Sequence, residues 1–259
     1  MSIKTVIEPL YEAHLARQCI YRPSHIAIIQ DGNRRYAKSS GLDSSQGHRA
    51  GARVTENLLE WARELGIPQI TLYSFSTENF KRSEEEIDAL FSLFKEKFMD
   101  VISDERVANY HMRVRMVGDR SLLPDDLKAV IELAEEATKH NTSFFLNIAL
   151  AYGGRNEILD AARRILAKVR AGSLSPEEIS RTMVEEHLHE GMDLPPVDLV
   201  IRTGNEYRTS NFLPWLANGH ESAVYFSAPY WPMFRKIDFL RAIRVYSQRQ
   251  ETRLNVRNA

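Results

Sequence analysis

In His25-Ile-Ala-Ile-Ile-Gln-Asp-Gly-Asn-Arg-Arg-Tyr-Ala37 a short apolar run stops at an acid, a glycine, an asparagine and two arginines. Asp31, Gly32, Asn33, Arg34 and Arg35 thus bring a carboxylate, a flexible backbone and two guanidinium forks to one point. Mg²⁺ commonly shares one or two carboxylates with substrate phosphates. The planar fork of arginine binds phosphate oxygens in pairs. These residue types point to a diphosphate held together with a divalent cation. A second group, Arg202, Arg208 and Ser210, leads into Asn211, a candidate helix start whose free N–H groups would attract an anion. Alone it reads as an ordinary surface loop; beside Asp31–Arg35 it reads as a second phosphate-binding segment.

The elements that must position these groups follow from periodicity. Strand-like runs recur at Ile26–Ile29, Ile70–Phe75, Val114–Val117, Phe144–Ala149, Leu199–Ile201 and Ala223–Phe226. Helical patterns separate most of them, at Ala50–Leu65, Ser83–Ile102, Leu127–Thr138, Asn156–Val169 and Ile237–Gln248. Gly66 marks a C-cap, Ser83 to Glu86 a capping box, and Ser175-Pro176 the start of a further helix. The alternation predicts one α/β domain over residues 1–259, with a central, mostly parallel sheet of about six strands flanked by helices. Residues 1–22 read as an N-terminal helix and 249–259 as a C-terminal tail. In such sheets ligands gather at the carboxyl ends of the strands, where Asp31–Arg35, Ser76–Asn79, Gly153–Arg155 and Arg202–Arg208 all fall. Ile87, Leu90, Phe91, Phe94, Phe98, Val101 and Ile102 make a wide apolar stripe on one helix. It serves a core by default, and its width would also suit the wall of a hydrocarbon cavity.

Composition narrows the alternatives. Of 259 residues 43% are hydrophobic and 27% charged, the balance of an ordinary globular protein. The net charge of −1 gives no footprint for nucleic acid. The single cysteine, Cys19, excludes an internal disulfide and reads as a buried filler near the end of the first helix. No Gly-x-x-x-x-Gly-Lys loop, Gly-x-Gly-x-x-Gly turn or Asp-Asp-x-x-Asp cluster occurs. ATP, NAD and trans-type prenyl transfer therefore lose support. No basic-then-apolar leader and no long uncharged apolar run is present, which predicts a cytoplasmic location.

From about His25 to Gln248 the chain resembles the cis-prenyltransferases, the undecaprenyl diphosphate synthase family. The motifs are His25-Ile-Ala-Ile-Ile-Gln-Asp-Gly-Asn33, Gly47-His-Arg-Ala-Gly51, Thr71-Leu-Tyr-Ser-Phe-Ser-Thr-Glu-Asn79, Ala151-Tyr-Gly-Gly-Arg155, Asp198-Leu-Val-Ile-Arg-Thr-Gly204, Arg208-Thr-Ser-Asn-Phe212 and Trp231-Pro232. The resemblance implies condensation of isopentenyl diphosphate with an allylic prenyl diphosphate to give a Z-prenyl diphosphate for carrier-lipid synthesis. It also implies Mg²⁺, a homodimer, a hydrophobic product tunnel, and peripheral membrane contact during product release. Two alternatives stand beside it: a prenyltransferase with a different acceptor, and a noncatalytic partner subunit of a heteromeric synthase.

By the same resemblance Asp31 would hold Mg²⁺, assisted by Glu221. Gly32, Asn33, Arg34, Arg35 and Tyr36 would cradle the allylic diphosphate, supported by His48. Ser76, Thr77, Glu78, Phe80 and Arg82 would shape the junction between the substrates. Asn79 matches the position assigned to proton removal, although an amide is a poor base, so water or released diphosphate is the expected acceptor. Arg202, Arg208 and Ser210 would hold isopentenyl diphosphate. The chain departs from the pattern at Arg34 (glycine in bacterial members), Ser44 (an arginine in many), Phe80 (tryptophan) and Met233 (aspartate), and the tail lacks an Arg-x-Gly motif. Phe91, Phe94, Phe98, Ala137 and Phe145 are candidate floor residues for the tunnel.

Overall fold

Six parallel strands carry the molecule, in the order β3-β4-β2-β1-β5-β6. The structure, a computed structural model, describes residues 3–217 and 222–257. The strands are β1 (His25–Ile29), β2 (Gln69–Tyr73), β3 (Met112–Val117), β4 (Phe144–Ala149), β5 (Leu199–Arg202) and β6 (Ala223–Phe226). The helices are α1 (Ile3–Gln18), α2 (Asn33–Ser39), α3 (Ser44–Glu64), α4 (Glu84–Ser103), α5 (Glu105–Asn109), α6 (Asp125–Thr138), α7 (Gly154–Arg170), α8 (Arg181–His187) and α9 (Lys236–Arg257). β1 lies between β2 and β5, so the chain leaves it in one direction and returns on the other side. That reversal makes the carboxyl end of β1 a natural crevice.

Strand alternation divides the core in two. Ile26, Ile28, Ile70, Leu72, Val114, Leu146 and Ile201 face a large cluster shared with residues of α3, α4, α6 and α9. Ala27, Ile29, Val117, Ala149 and Val200 face a smaller one closed by Leu194, Val197 and the Phe212–Leu216 segment. The second face also carries a polar row across four strands. The His25 ring meets the Pro195 carbonyl through Nδ1 at 2.9 Å and Thr71 Oγ1 through Nε2 at 2.7 Å. Asn147 donates to Thr71 at 3.0 Å and accepts from Arg115 at 2.9 Å. Each polar group is thereby partnered, which is what permits the row to be buried.

Several element boundaries differ from expectation for local reasons. α3 begins earlier than the apolar pattern because Asp43 caps it and forms a full box with Gln46. Ser83 caps α4, but no box closes there, since Glu86 turns its carboxylate to His48 and Arg82 instead. Ser175-Pro176 starts only a single 3₁₀ turn, Pro176–Glu178, with α8 following later. Asn211 starts no helix; it caps α7, accepting from the Arg155 N–H at 2.9 Å. The expected tail is helical, because α9 continues through Arg257. α2 was not anticipated, its seven residues being too few and too polar to show a period. Cys19 is buried and its thiol donates to the Leu15 carbonyl.

Burial lowers the His25 pKa to about 4, against weaker opposing hydrogen bonds to the Pro195 carbonyl. The unfolded chain binds this proton from about pH 6.5 downward and the native state only near pH 4. Stability is therefore present above pH 6.5 and is lost as pH falls from there to about 4, by on the order of 3 kcal/mol. Urea denaturation at pH 7 and pH 4.5 is expected to show this loss in the native protein and a shallower one in His25→Gln. Equal slopes would refute the assignment to His25.

Candidate active site

The turn after β1 is held by its backbone. The Asp31 N–H donates to the Ile29 carbonyl and to Thr203 Oγ1, both at 3.0 Å. The Asp31 carbonyl accepts from the Thr203 hydroxyl at 2.8 Å and the Trp231 N–H at 2.9 Å. Gly32 follows at φ 109°, and a Cβ there would come within 2.8 Å of Tyr230. Both the dihedral and the contact require glycine. The chain then enters α2 at Asn33, with the Tyr36 N–H donating to the Gly32 carbonyl. Gly47 and Gly51 of α3 allow close approach, since a Cβ on Gly51 would collide with Asn33 Oδ1 and with the Trp231 ring. Trp231 is fully buried and donates through Nε1 to the Gly51 carbonyl at 2.9 Å.

The Asp31 carboxylate joins the two sequence groups. Oδ1 accepts from Arg35 at 3.0 Å and Oδ2 from Arg202 at 2.7 Å. Arg202 is 4% exposed and spends its other arm on the Arg208 carbonyl (2.8 Å) and Ser210 Oγ (2.6 Å). Arg202 and Ser210 are therefore brought together with Asp31. The Arg208 guanidinium is exposed and turned to Glu206, which also meets Arg35.

Glu86 is the residue that sequence reasoning assigned only to a cap. Its Oε1 lies 3.0 Å from Arg82, 3.4 Å from His48 Nε2 and 3.5 Å from Arg34. Burial, and then the neighbouring Arg82 charge, hold His48 below its ordinary pKa despite Glu86. The ring is thus neutral at pH 7. For the Glu86 contact to be a hydrogen bond its Nε2 carries the proton, leaving Nδ1 an acceptor.

After β2 the chain forms a 3₁₀ turn at Thr77–Lys81, capped by Ser76. Asn79 Oδ1 accepts from the Ser76 N–H at 3.0 Å, so its amide is committed to the turn. Thr77 donates its N–H to Tyr152, and Glu78 accepts from Asn211 Nδ2 at 3.3 Å. Phe80 packs edge-on against Phe75, centroids 4.9 Å apart. These contacts fix the segment beside the turn; Arg82 is its residue that reaches the basin. Glu221 lies outside the described residues.

Two cavities meet here. A polar basin of about 580 Å³ is lined by Arg34, Arg35, Lys38 and Arg82, with Asp31 as its one lining carboxylate. Gly32, Asn33, Ser44 and His48 also line it, while Tyr36, Arg202, Arg208 and Ser210 stand outside. Gln30, Asn33 and His48 also line a second cavity of about 470 Å³, which continues between α3 and α4 over the large face of the sheet. Leu59, Leu72, Phe94, Phe98, Leu146 and Ile148 form much of its wall. Three of the expected floor residues lie elsewhere. Phe145 faces the opposite side of the sheet, with Arg115 5.1 Å above its ring. Ala137 is exposed, and Phe91 packs against Phe75.

The donor set suits a divalent ion only in part from protein. No group of three or more His, Cys, Asp or Glu capable of holding a metal occurs among the described residues. One partly open carboxylate, Asp31, at a cationic basin matches the Mg²⁺ pattern in which substrate phosphate and water supply the remaining oxygens. Asn33, which lines the basin, has its Oδ1 buried without a protein partner, which fits a polar guest.

Residues 29–253 match the prenyltransferase family profile described as "Putative undecaprenyl diphosphate synthase". A Methanosarcina mazei protein named tritrans,polycis-undecaprenyl-diphosphate synthase (geranylgeranyl-diphosphate specific) is 52% identical, over 88% of this chain and 78% of its own. The Halobacterium salinarum protein of the same name is 48% identical, over 93% and 79%. The crystal structure of lavandulyl diphosphate synthase from Lavandula x intermedia, in complex with dimethylallyl diphosphate, superposes with a TM-score of 0.82 at 36% identity, covering 87% of this chain and 95% of that one. This chain belongs to the undecaprenyl diphosphate synthase family, the cis-prenyltransferases.

Proposed function

We propose that this protein is a Mg²⁺-dependent cis-prenyltransferase that extends an allylic diphosphate with isopentenyl diphosphate, creating a Z double bond at each step. The observation that carries the reading is the junction of a cationic basin with an apolar cavity at Gln30, Asn33 and His48. A prenyl diphosphate has that same division into a charged head and a hydrocarbon tail. The names of the relatives support geranylgeranyl diphosphate as the primer. The family is generally Mg²⁺-dependent.

Gly32, Asn33, Arg34 and Arg35 would hold the allylic diphosphate, with Arg82 and His48 at the mouth of the cavity. Arg202, Ser210 and Arg208 would hold the isopentenyl diphosphate, for which Arg208 must swing from Glu206. Phosphate oxygens would offer Arg35 and Arg202 new acceptors, and Asp31, freed of them, would be the residue to hold Mg²⁺. When bound, Mg²⁺ would neutralise charge on the departing diphosphate. The allylic C–O bond breaks, the isopentenyl double bond attacks the resulting electrophilic carbon, and a proton leaves the new allylic position. Asn79 is engaged with Ser76, so it positions the turn, and water or released diphosphate takes the proton. The apolar part of the cavity wall, Leu59, Leu72, Phe94, Phe98, Leu146 and Ile148, would shield the cationic carbon from water.

Incubation with labelled isopentenyl diphosphate and a panel of allylic primers, with and without Mg²⁺, tests this reading. Elongation is expected only with Mg²⁺, fastest from geranylgeranyl diphosphate, and reduced about 100-fold or more in Asp31→Ala. Turnover without metal, or an active Asp31→Ala variant, would contradict it. Absence of product from every primer would favour a noncatalytic subunit.

Widening the cavity separates its two faces. Phe94→Ala is expected to lengthen the products, whereas Phe145→Ala, on the far side of the sheet, leaves them unchanged. The reverse pattern by chromatography would dismiss the cavity as the product's tunnel. A homodimer is proposed from the family resemblance, and edge strand β6, with Val224 38% exposed, offers a free border for it. Light scattering should give twice the chain mass at assay concentration; the monomer mass would be the contrary result.

A further inference from the structure

Gln30, Asn33 and His48 line both cavities, and of these three only Gln30 sends its side-chain hydrogen bonds to other residues of the apolar one. Its Nε2 donates to Thr55 Oγ1 at 2.7 Å, and its Oε1 accepts from Ser74 Oγ at 3.1 Å. The Thr55 hydroxyl spends its own proton on the Gly51 carbonyl at 3.2 Å, so toward Gln30 it can only accept. The amide is thereby oriented, nitrogen to α3 and oxygen to the end of β2. An amide oxygen has two lone pairs, so Oε1 keeps acceptor capacity beyond Ser74.

The partners also say on which side of the junction the amide lies. Thr55 and Ser74 line the apolar cavity and are absent from the basin wall. His48 turns the other way, to Glu86, which also gathers the basin's Arg34 and Arg82. The Gln30 amide is therefore a fixed dipole on the tail side of the junction, on the same wall as Leu72.

A prenyl diphosphate with its head in the basin has its ester carbon at this junction. When the C–O bond breaks, the electron pair leaves with the diphosphate, and the allyl fragment carries one positive charge shared by C1 and C3. The isopentenyl double bond then supplies the pair that closes the new C–C bond, and the proton lost goes to water or released diphosphate. Arg34, Arg35, Lys38 and Arg82 suit the departing anion but oppose a positive charge forming beside it. An acceptor dipole already fixed on the tail side offsets that repulsion without having to reorient. We propose that Gln30 is a further catalytic residue, whose amide oxygen, held in place by Thr55 and Ser74, stabilises the positive charge on the allylic fragment. The inference rests on the prenyl-transfer reading above.

Two unreactive analogues of geranylgeranyl diphosphate test it, one saturated at the 2,3-bond and one with a protonated nitrogen in place of C3. They share a head group, so the ratio of their dissociation constants reads the preference of the site for positive charge at that position. Gln30→Met keeps the length and removes the dipole. It is expected to lower the preference for the ammonium about 10-fold and kcat by a similar factor, with KM for isopentenyl diphosphate changed less than about twofold. Gln30→Glu keeps the shape and adds a full negative charge. It is expected to raise the preference, and it carries the test if Gln30→Met does not fold. A merely structural role would weaken both analogues together and leave their ratio alone. A native ratio in folded Gln30→Met, or a ratio not raised in folded Gln30→Glu, would overturn the role of Gln30 only. Failure of the native protein to elongate any primer would overturn the prenyl-transfer reading and this role with it.

Discussion

The end of β1 is where the architecture is most constrained, because one aspartate must serve as backbone anchor and as counter-ion. The Asp31 main chain is clamped by Thr203 and Trp231, and its carboxylate is shared by Arg35 and Arg202. Those partners come from the helix after β1, from the end of β5 and from the loop after β6. The parallel sheet brings all three to one edge. Arg202 is buried with Asp31, Ser210 and the Arg208 carbonyl taking its terminal donors, while Nε keeps no protein partner. Removing Asp31 would leave a buried guanidinium short of its one charged partner, the situation that costs a folded protein most. The geometry of the segment after β5 thus depends on a residue of the turn after β1.

A site rich in arginine must also keep its cations apart while no diphosphate is bound. Glu86 does this at one edge, gathering Arg34, Arg82 and His48. Glu206 does it at the other, between Arg35 and Arg208. Both are internal anions standing where charge–charge repulsion would otherwise splay the side chains. Binding a diphosphate then exchanges one set of acceptors for another, so the net gain is smaller than the count of arginines suggests. The depressed pKa of His48 belongs to the same arrangement: a buried ring beside Arg82 adds no further positive charge at neutral pH.

Sequence reasoning found the sheet and the first-strand turn because both rest on short-range patterns. Phe144–Ala149 and Ala223–Phe226 are bounded as the apolar runs predicted, and the others differ only at their ends. Asp31 and its neighbours were legible because the apolar-to-charged break coincides with a strand end. The roles of Glu86, Thr203 and Gln30 were not legible, since each depends on a partner far away in sequence. Gln30 donates to Thr55 at 2.7 Å and accepts from Ser74 at 3.1 Å, linking β1's end to α3 and to the end of β2. Phe145 and Ala137 were misplaced for a different reason. Aromatic or small character marks a candidate wall, but only register says which side of the sheet or helix a side chain takes.

Helices α3 and α4 unite the two halves of the site. Their first turns carry Gly47, His48 and Glu86, small or polar residues that let the Asn33 backbone approach and hold the basin's edge. Their middles carry Leu59, Leu90, Phe94 and Phe98, which line the cavity over Leu72, Leu146 and Ile148. Among these middles sit Glu56 and Lys97, paired across the gap. A helix presents residues three or four apart on one face, so a single pair of helices can change from polar to apolar along one groove without altering its backbone. The polar edge of the basin and the apolar wall of the cavity are then separable in the sequence even though the same two elements hold both, and substitution at one need not disturb the other.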